Sequence, residues 1–135
     1  MEMFRSKTLS VSIDRAANEA EEFIRNPENL PLWATSFAKA VRKVNDQWII
    51  ETSDGPMNIR FVDKNEYGVL DHYVTVSPDH TILNPMRIIP IGDGCQVFFT
   101  LFKMDGMTEQ QFSEDMQMVQ QDLKNLKAYL EDRRP

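Results

Sequence analysis

Residues 108–134, TEQQFSEDMQMVQQDLKNLKAYLEDRR, decide the fold of this chain. Phe112, Met116, Val119, Leu123, Leu126 and Leu130 recur at spacings of four and three, which draws one apolar stripe along a helix. Thr108 with Gln111 three residues on has the form of a capping box, in which a hydroxyl and an amide satisfy orphan N–H groups of the first turn. Glu109, Glu114 and Asp115 stand near the start and Lys124, Lys127, Arg133 and Arg134 near the end, as a helix dipole favours. A helix from Glu109 to Glu131 would be ~34 Å long. Its polar face carries Gln110, Gln117, Gln120, Gln121 and Asp122 in place of lysines, which argues against a membrane surface as its partner. So regular a stripe needs a partner to cover it.

The residues upstream supply that partner. Leu9, Val11 and Ile13 alternate with Ser10 and Ser12 within the stretch Phe4 to Ile13, the pattern of a half-buried strand. Ala16, Ala17, Ala20, Phe23 and Ile24 then follow helical spacing, closed by Pro27, and Leu30, Trp33 and Phe37 predict a second short helix over Asn29–Phe37. From Ala38 to Met104 apolar runs alternate with turn signals. Asn45-Asp46 separates Ala40–Val44 from Gln47–Thr52, and Asp54-Gly55 separates that run from Met57–Val62. Val69–Ser77, His80–Ile91 and Cys95–Met104 follow, divided by Pro78-Asp79 and Gly92-Asp93-Gly94. Connections this short force antiparallel neighbours, so about seven strands form one meander. A ten-residue strand spans ~33 Å, close to the length of the terminal helix. The fold class is therefore α+β: a curved antiparallel sheet wrapped around a long C-terminal helix, with two short helices after the first strand closing one end.

Composition narrows the function classes. At 135 residues the chain has room for a single domain, 1–135, without linkers or repeats. Its 41% hydrophobic and 27% charged content is that of a globular protein. A net charge of −6 repels phosphate backbones, so no nucleic-acid partner is expected. Residues 1–13 lack the apolar core of a signal peptide, no run approaches the ~20 apolar residues of a membrane span, and a lone cysteine, Cys95, suits a reducing compartment. A cytoplasmic location is expected.

The order of strand, two short helices, strands and one long terminal helix resembles the START-related SRPBCC superfamily, the helix-grip fold. Local sequence agrees with it: Ser12-Ile13, then Ala20-Glu21-Glu22-Phe23-Ile24, then Asn26-Pro27-Glu28-Asn29-Leu30-Pro31-Leu32-Trp33 is similar to the family's opening. Gly94-Cys95-Gln96-Val97-Phe98-Phe99-Thr100 is similar to its penultimate hairpin and last strand. The resemblance spans essentially the whole chain. It implies a cavity between the concave sheet face and the terminal helix, with the tryptophan after the Pro-Glu turn near its end. It implies no catalytic residue, because polyketide cyclases or dehydrases, lipid-transfer domains, plant allergens and chaperone activators share the fold without a common motif.

Few residues carry chemistry. There is no HExxH, CxxC, GxSxG or phosphate loop. His72 shares a strand face with Leu70, Val74 and Val76, so it points inward, where it either bonds a backbone carbonyl as a core histidine or serves a ligand as donor, acceptor or proton carrier. Asp71 and Tyr73 fall on the opposite face, and could assist His72 only if that facing differs. Arg60 faces away from the apolar set, whereas an inward Arg87 could clamp a carboxylate. His80 is a turn residue, and Cys95, next to a turn with no nearby cation, is an inert thiol. Two histidines without a carboxylate cluster around them imply no metal, and no cofactor is expected. Eight methionines are either adaptable cavity wall or ordinary core filler.

These readings converge on an intracellular binder of a small apolar or amphipathic molecule, its pocket walled by Trp33, Phe37, Met57, Ile59, Phe61, His72, Met86, Phe99 and Met116. An enzyme of cyclase, dehydratase or hydrolase type, with His72 as acid or base, is the first alternative. A protein-interaction module with a vestigial pocket is the second. Phe98 and Phe102 alternate outward on the last strand, where they would form the apolar patch of a homodimer.

Overall fold

The computed structural model describes residues 5–132, so Phe4, Arg133 and Arg134 of the readings above lie outside the described residues. Strand β1 (Ser6–Ile13) leads into helix α1 (Ala17–Arg25), a 3₁₀ turn over Pro27–Asn29, and α2 (Leu30–Trp33). Five strands follow: β2 (Ala40–Val44), β3 (Gln47–Thr52), β4 (Gly55–Phe61), β5 (His72–Ser77) and β6 (His80–Asn84). Then come β7 (Met86–Ile91), β8 (Gly94–Phe102) and the long helix α3 (Glu109–Asp132). The strands pair antiparallel in the orders β2-β3-β4-β5-β6 and β1-β8-β7. Both central residues of the Asn45-Asp46 turn have positive φ, 50° and 65°, as a tight hairpin between right-twisted strands requires.

The count of strands is eight among the described residues, against about seven expected. The difference lies at Pro85, which interrupts the single strand expected over His80–Ile91. Proline has no N–H to donate to a ladder, so pairing breaks there and the chain passes from one sheet to the other. The Asp71 carboxylate covers the break: Oδ1 accepts the Met86 N–H at 2.9 Å and the Arg87 guanidinium. The Leu70 N–H donates to Met86 O at 2.9 Å and the Thr100 N–H to Pro85 O at 3.0 Å. These bonds join the two ladders into one curved wall. The strand expected from Val69 begins only at His72, because the preceding loop crosses β7 at Gly68. There φ is +71° and a Cβ would stand 2.2 Å from Ile88 O, a position only glycine can occupy.

Short elements near the N-terminus also differ from expectation. The helix expected over Asn29–Phe37 ends at Trp33. Pro27 starts a turn of its own, where it needs no N–H, and the Asn26 side chain accepts from the Glu28 N–H at 3.1 Å.

Helix α3 has two differently supported halves. Its C-terminal half buries Leu123, Leu126 and Leu130 against a core that includes Ile13, Ala20, Ile24, Leu30 and Val97. Polar ties fix the same half. Lys127 Nζ donates to Ser12 O at 2.7 Å, Arg15 donates to Leu130 O at 2.6 Å, and Asn125 donates to Trp33 O at 3.2 Å and Thr35 Oγ1 at 2.8 Å. Near the N-terminus the expected capping box is present: the Gln111 N–H donates to Thr108 Oγ1 at 3.0 Å and the Thr108 N–H to Gln111 Oε1 at 2.9 Å. Thr108→Ala should cost about 1 kcal/mol in urea denaturation and Thr108→Ser almost nothing, since serine keeps the accepting oxygen.

Candidate functional site

The middle turns of α3, from Asp115 to Leu123, stand over the concave sheet face and leave a cavity of about 380 Å³ beneath them. Strand alternation supplies the wall. Met57 and Ile59 of β4, His72, Val74 and Val76 of β5, and Phe99 and Leu101 of β8 all turn inward. Leu30, Trp33 and Ala34 close one end, and Ser36, Ser53, Asp54 and Met118, all exposed, surround the opening.

Of the residues expected to form the pocket, Trp33, Phe37, Met57, Ile59, His72 and Phe99 line this cavity. Phe61, Met86 and Met116 do not. Phe61, of the same strand parity as Met57 and Ile59, is outside the lining, with its ring 4.8 Å from that of His72. Met86 is fully buried core under β8, paired across from Phe99. Met116 lies on the flank of α3 away from the opening. The helix is rotated from the simple stripe, so that Asp115, Met118, Val119, Asp122 and Leu123 face the cavity. Asp115 and Asp122 are thus lining residues that the stripe did not reveal. Their signal was spacing: Asp115, Met118 and Asp122, three and then four apart, run parallel to the apolar row on the same side.

His72 is 6% exposed and held between the rings of Phe61 and Phe99, the second at 5.7 Å. Its Nδ1 lies 3.1 Å from the carbonyl of Leu70, and because a carbonyl only accepts, Nδ1 carries the proton. Burial lowers its pKa to about 4, against smaller opposing effects of the Leu70 carbonyl and the Asp71 charge. The ring is therefore neutral at physiological pH, with a lone pair at Nε2. The histidine thus bonds a backbone carbonyl, as expected of a core histidine, and also lines the cavity.

Asp122, 5% exposed, accepts the Ser36 N–H on Oδ1 at 2.9 Å. Burial raises its pKa, and bonds to Ser36 oppose the shift. Burial likewise raises Asp115, helped by the charges of Glu114 and of Asp54 across the opening. The Trp33 indole N–H is buried without an acceptor.

Other candidates fall outside the site. Arg87 is turned outward onto Asp71, so it does not clamp a ligand carboxylate. Neither Asp71 nor Tyr73 reaches the cavity to assist His72, and Arg60 lies over the Tyr73 ring at 4.8 Å on the outer face. His80, expected in the turn, is instead the exposed first residue of β6. Cys95 is buried and its thiol pKa is raised by that burial. Phe102 lines the cavity, contrary to its expected outward facing, whereas Phe98 is half-buried and pairs across from the outward Arg87. The exposed apolar side chains there are instead Ile89 and Ile91 of β7. No group of residues able to hold a metal occurs among the described residues, and no described helix is long and apolar enough to cross a membrane.

No family model matches the chain, and no curated protein matches it. Solved structures do. The protein XoxI from Bacillus cereus superposes with a TM-score of 0.73 at 14% identity, over 96% of this chain and 99% of that one. Ara h 8.0201 superposes with a TM-score of 0.69 at 9% identity, over 94% and 97%. The di-domain ARO/CYC BexL superposes with a TM-score of 0.72 at 14% identity, over 94% of this chain and 46% of that chain. The shared architecture is the helix-grip fold.

Proposed function

We propose that this protein binds a small apolar or amphipathic molecule in the cavity between its curved sheet and its C-terminal helix. The observation that carries the reading is the cavity of about 380 Å³, within the size range of ligand sites. Its wall is mostly aliphatic and aromatic, and it borders the packed core. Burial of apolar ligand surface would drive binding at ~25 cal/mol per Å². The like-folded ARO/CYC BexL, from a biosynthetic pathway, is in keeping with a pocket for small organic molecules. A reducing, cytoplasmic setting suits the single buried thiol of Cys95.

Native mass spectrometry of freshly purified protein, together with titration of the neutral dye Nile red, tests the proposal. Dye should bind the wild type, and Val119→Trp, which places an indole in the cavity from α3, should abolish binding while the protein stays folded. Equal dye affinity in both would place the dye elsewhere and remove the reading.

His72 supports a second reading, an acid–base enzyme in the same cavity. Its neutral ring has no Nε2 proton to give and is a weak base, so the histidine is better suited to orienting a ligand than to moving its protons. Loss of product formation in His72→Leu with ligand still bound would establish the enzyme.

A further inference from the structure

The electrostatics of the cavity are one-sided. Its charged lining residues are Asp54, Asp115 and Asp122, and no lysine or arginine among the described residues lines it. The ion pairs of the described residues engage other carboxylates and leave these three without a basic partner. Two of them lie at the opening, Asp54 on the β3–β4 turn and Asp115 on α3, close enough for Asp54 to act on the Asp115 charge. The third, Asp122, is two helical turns further along α3 and nearly removed from solvent. A buried carboxylate without a counter-charge is costly, and its bonds to Ser36 offset only part of that cost. His72 adds an independent observation. It is more than nine-tenths buried, and its Nδ1 proton is committed to Leu70, so what it can offer a guest is the lone pair at Nε2.

Resting on the small-molecule reading above, we propose that the ligand is an amphipathic cation, an aliphatic or aromatic body carrying a protonated amine. The apolar body lies against Ile59, Val74 and Phe99. The ammonium supplies a positive charge for the Asp122 carboxylate and an N–H donor for the His72 Nε2 lone pair. Asp54 and Asp115 draw the same charge to the opening. A carboxylate-headed molecule of identical body meets repulsion at each step.

Calorimetric titration with n-decylamine, n-decanol and n-decanoic acid at neutral pH, each below its aggregation limit, tests this. The amine should bind about tenfold or more tightly than the alcohol, and the acid more weakly than either. In Asp122→Asn the amide oxygen still accepts from Ser36, so the fold is kept, and the preference for amine over alcohol should fall about tenfold. Should that variant not fold, the wild-type ranking of the three ligands and its weakening by added salt decide the matter. Alcohol or acid binding as tightly as the amine overturns the cationic assignment and leaves the pocket reading standing. Failure of all three to bind, with no dye binding either, overturns both.

Discussion

Leu126→Ala should lower the unfolding free energy by about 3 kcal/mol, which makes it one of the most damaging single substitutions in the chain. Leu126 is wholly buried on the half of α3 that closes the core, among Leu123, Leu130 and the residues of β1 and α1. Truncation removes apolar surface and leaves a void that a helix tied at Ser12, Trp33 and Thr35 cannot collapse to fill. Met118→Ala, at the exposed lip of the cavity on the same helix, should cost only about 0.5 kcal/mol. Urea denaturation of the pair measures the contrast. Equal losses would mean that α3 is supported uniformly and that the two halves are not distinct.

Acid should weaken the protein through His72. The ring titrates at 6.5 in the unfolded chain and at about 4 in the folded one, because burial penalises the imidazolium. Between these values the unfolded state takes up a proton that the folded state refuses, so stability falls as pH falls through 6.5 and the loss is complete below about 4. The full difference is about 3 kcal/mol at 1.36 kcal/mol per unit. Asp115 and Asp122, both raised, act in the opposite sense, since their folded-state penalty is relieved by protonation. For that reason the measurement is a difference: wild type minus His72→Gln, followed by denaturation from neutral pH to pH ~4. The glutamine retains a donor for Leu70 and has no charge to gain. Parallel stability curves for the two proteins would show that His72 is not held neutral by the fold.

The general form of the molecule was legible because short-range chemistry dictates it. Asn45-Asp46 is a turn whose residues tolerate the required backbone, and the strands on either side of it, Ala40–Val44 and Gln47–Thr52, fall where the alternation places them. The next turn is Ser53-Asp54, one residue before the expected Asp54-Gly55, with Gly55 opening β4. The row from Phe112 to Leu130 is long enough to specify a helix beyond ambiguity. Pro85 was in plain view, yet a proline at a strand edge and one at a strand break read alike until the partner strands are known. The cavity wall was legible where strand parity alone decides facing, as at Met57, Ile59, His72 and Phe99. It was not legible at Phe61 and Met86, which share that parity but lie beyond the end of the hollow. Nor was it legible on α3, where a small rotation exchanges Met116 for Asp115 and Met118. Helix rotation is set by the ties at Asn125 and Lys127 to distant residues, and no local pattern encodes it.

The unequal support of α3 has a consequence for how such a protein can diversify. Stability rests on Leu123, Leu126 and Leu130, while Asp115, Met118 and Asp122 of the same rod line the cavity in which we propose a guest. Under the proposed reading, substitutions among these lining residues would retune the preferred visitor, from cation to neutral or acid, while the keel of the helix stays untouched.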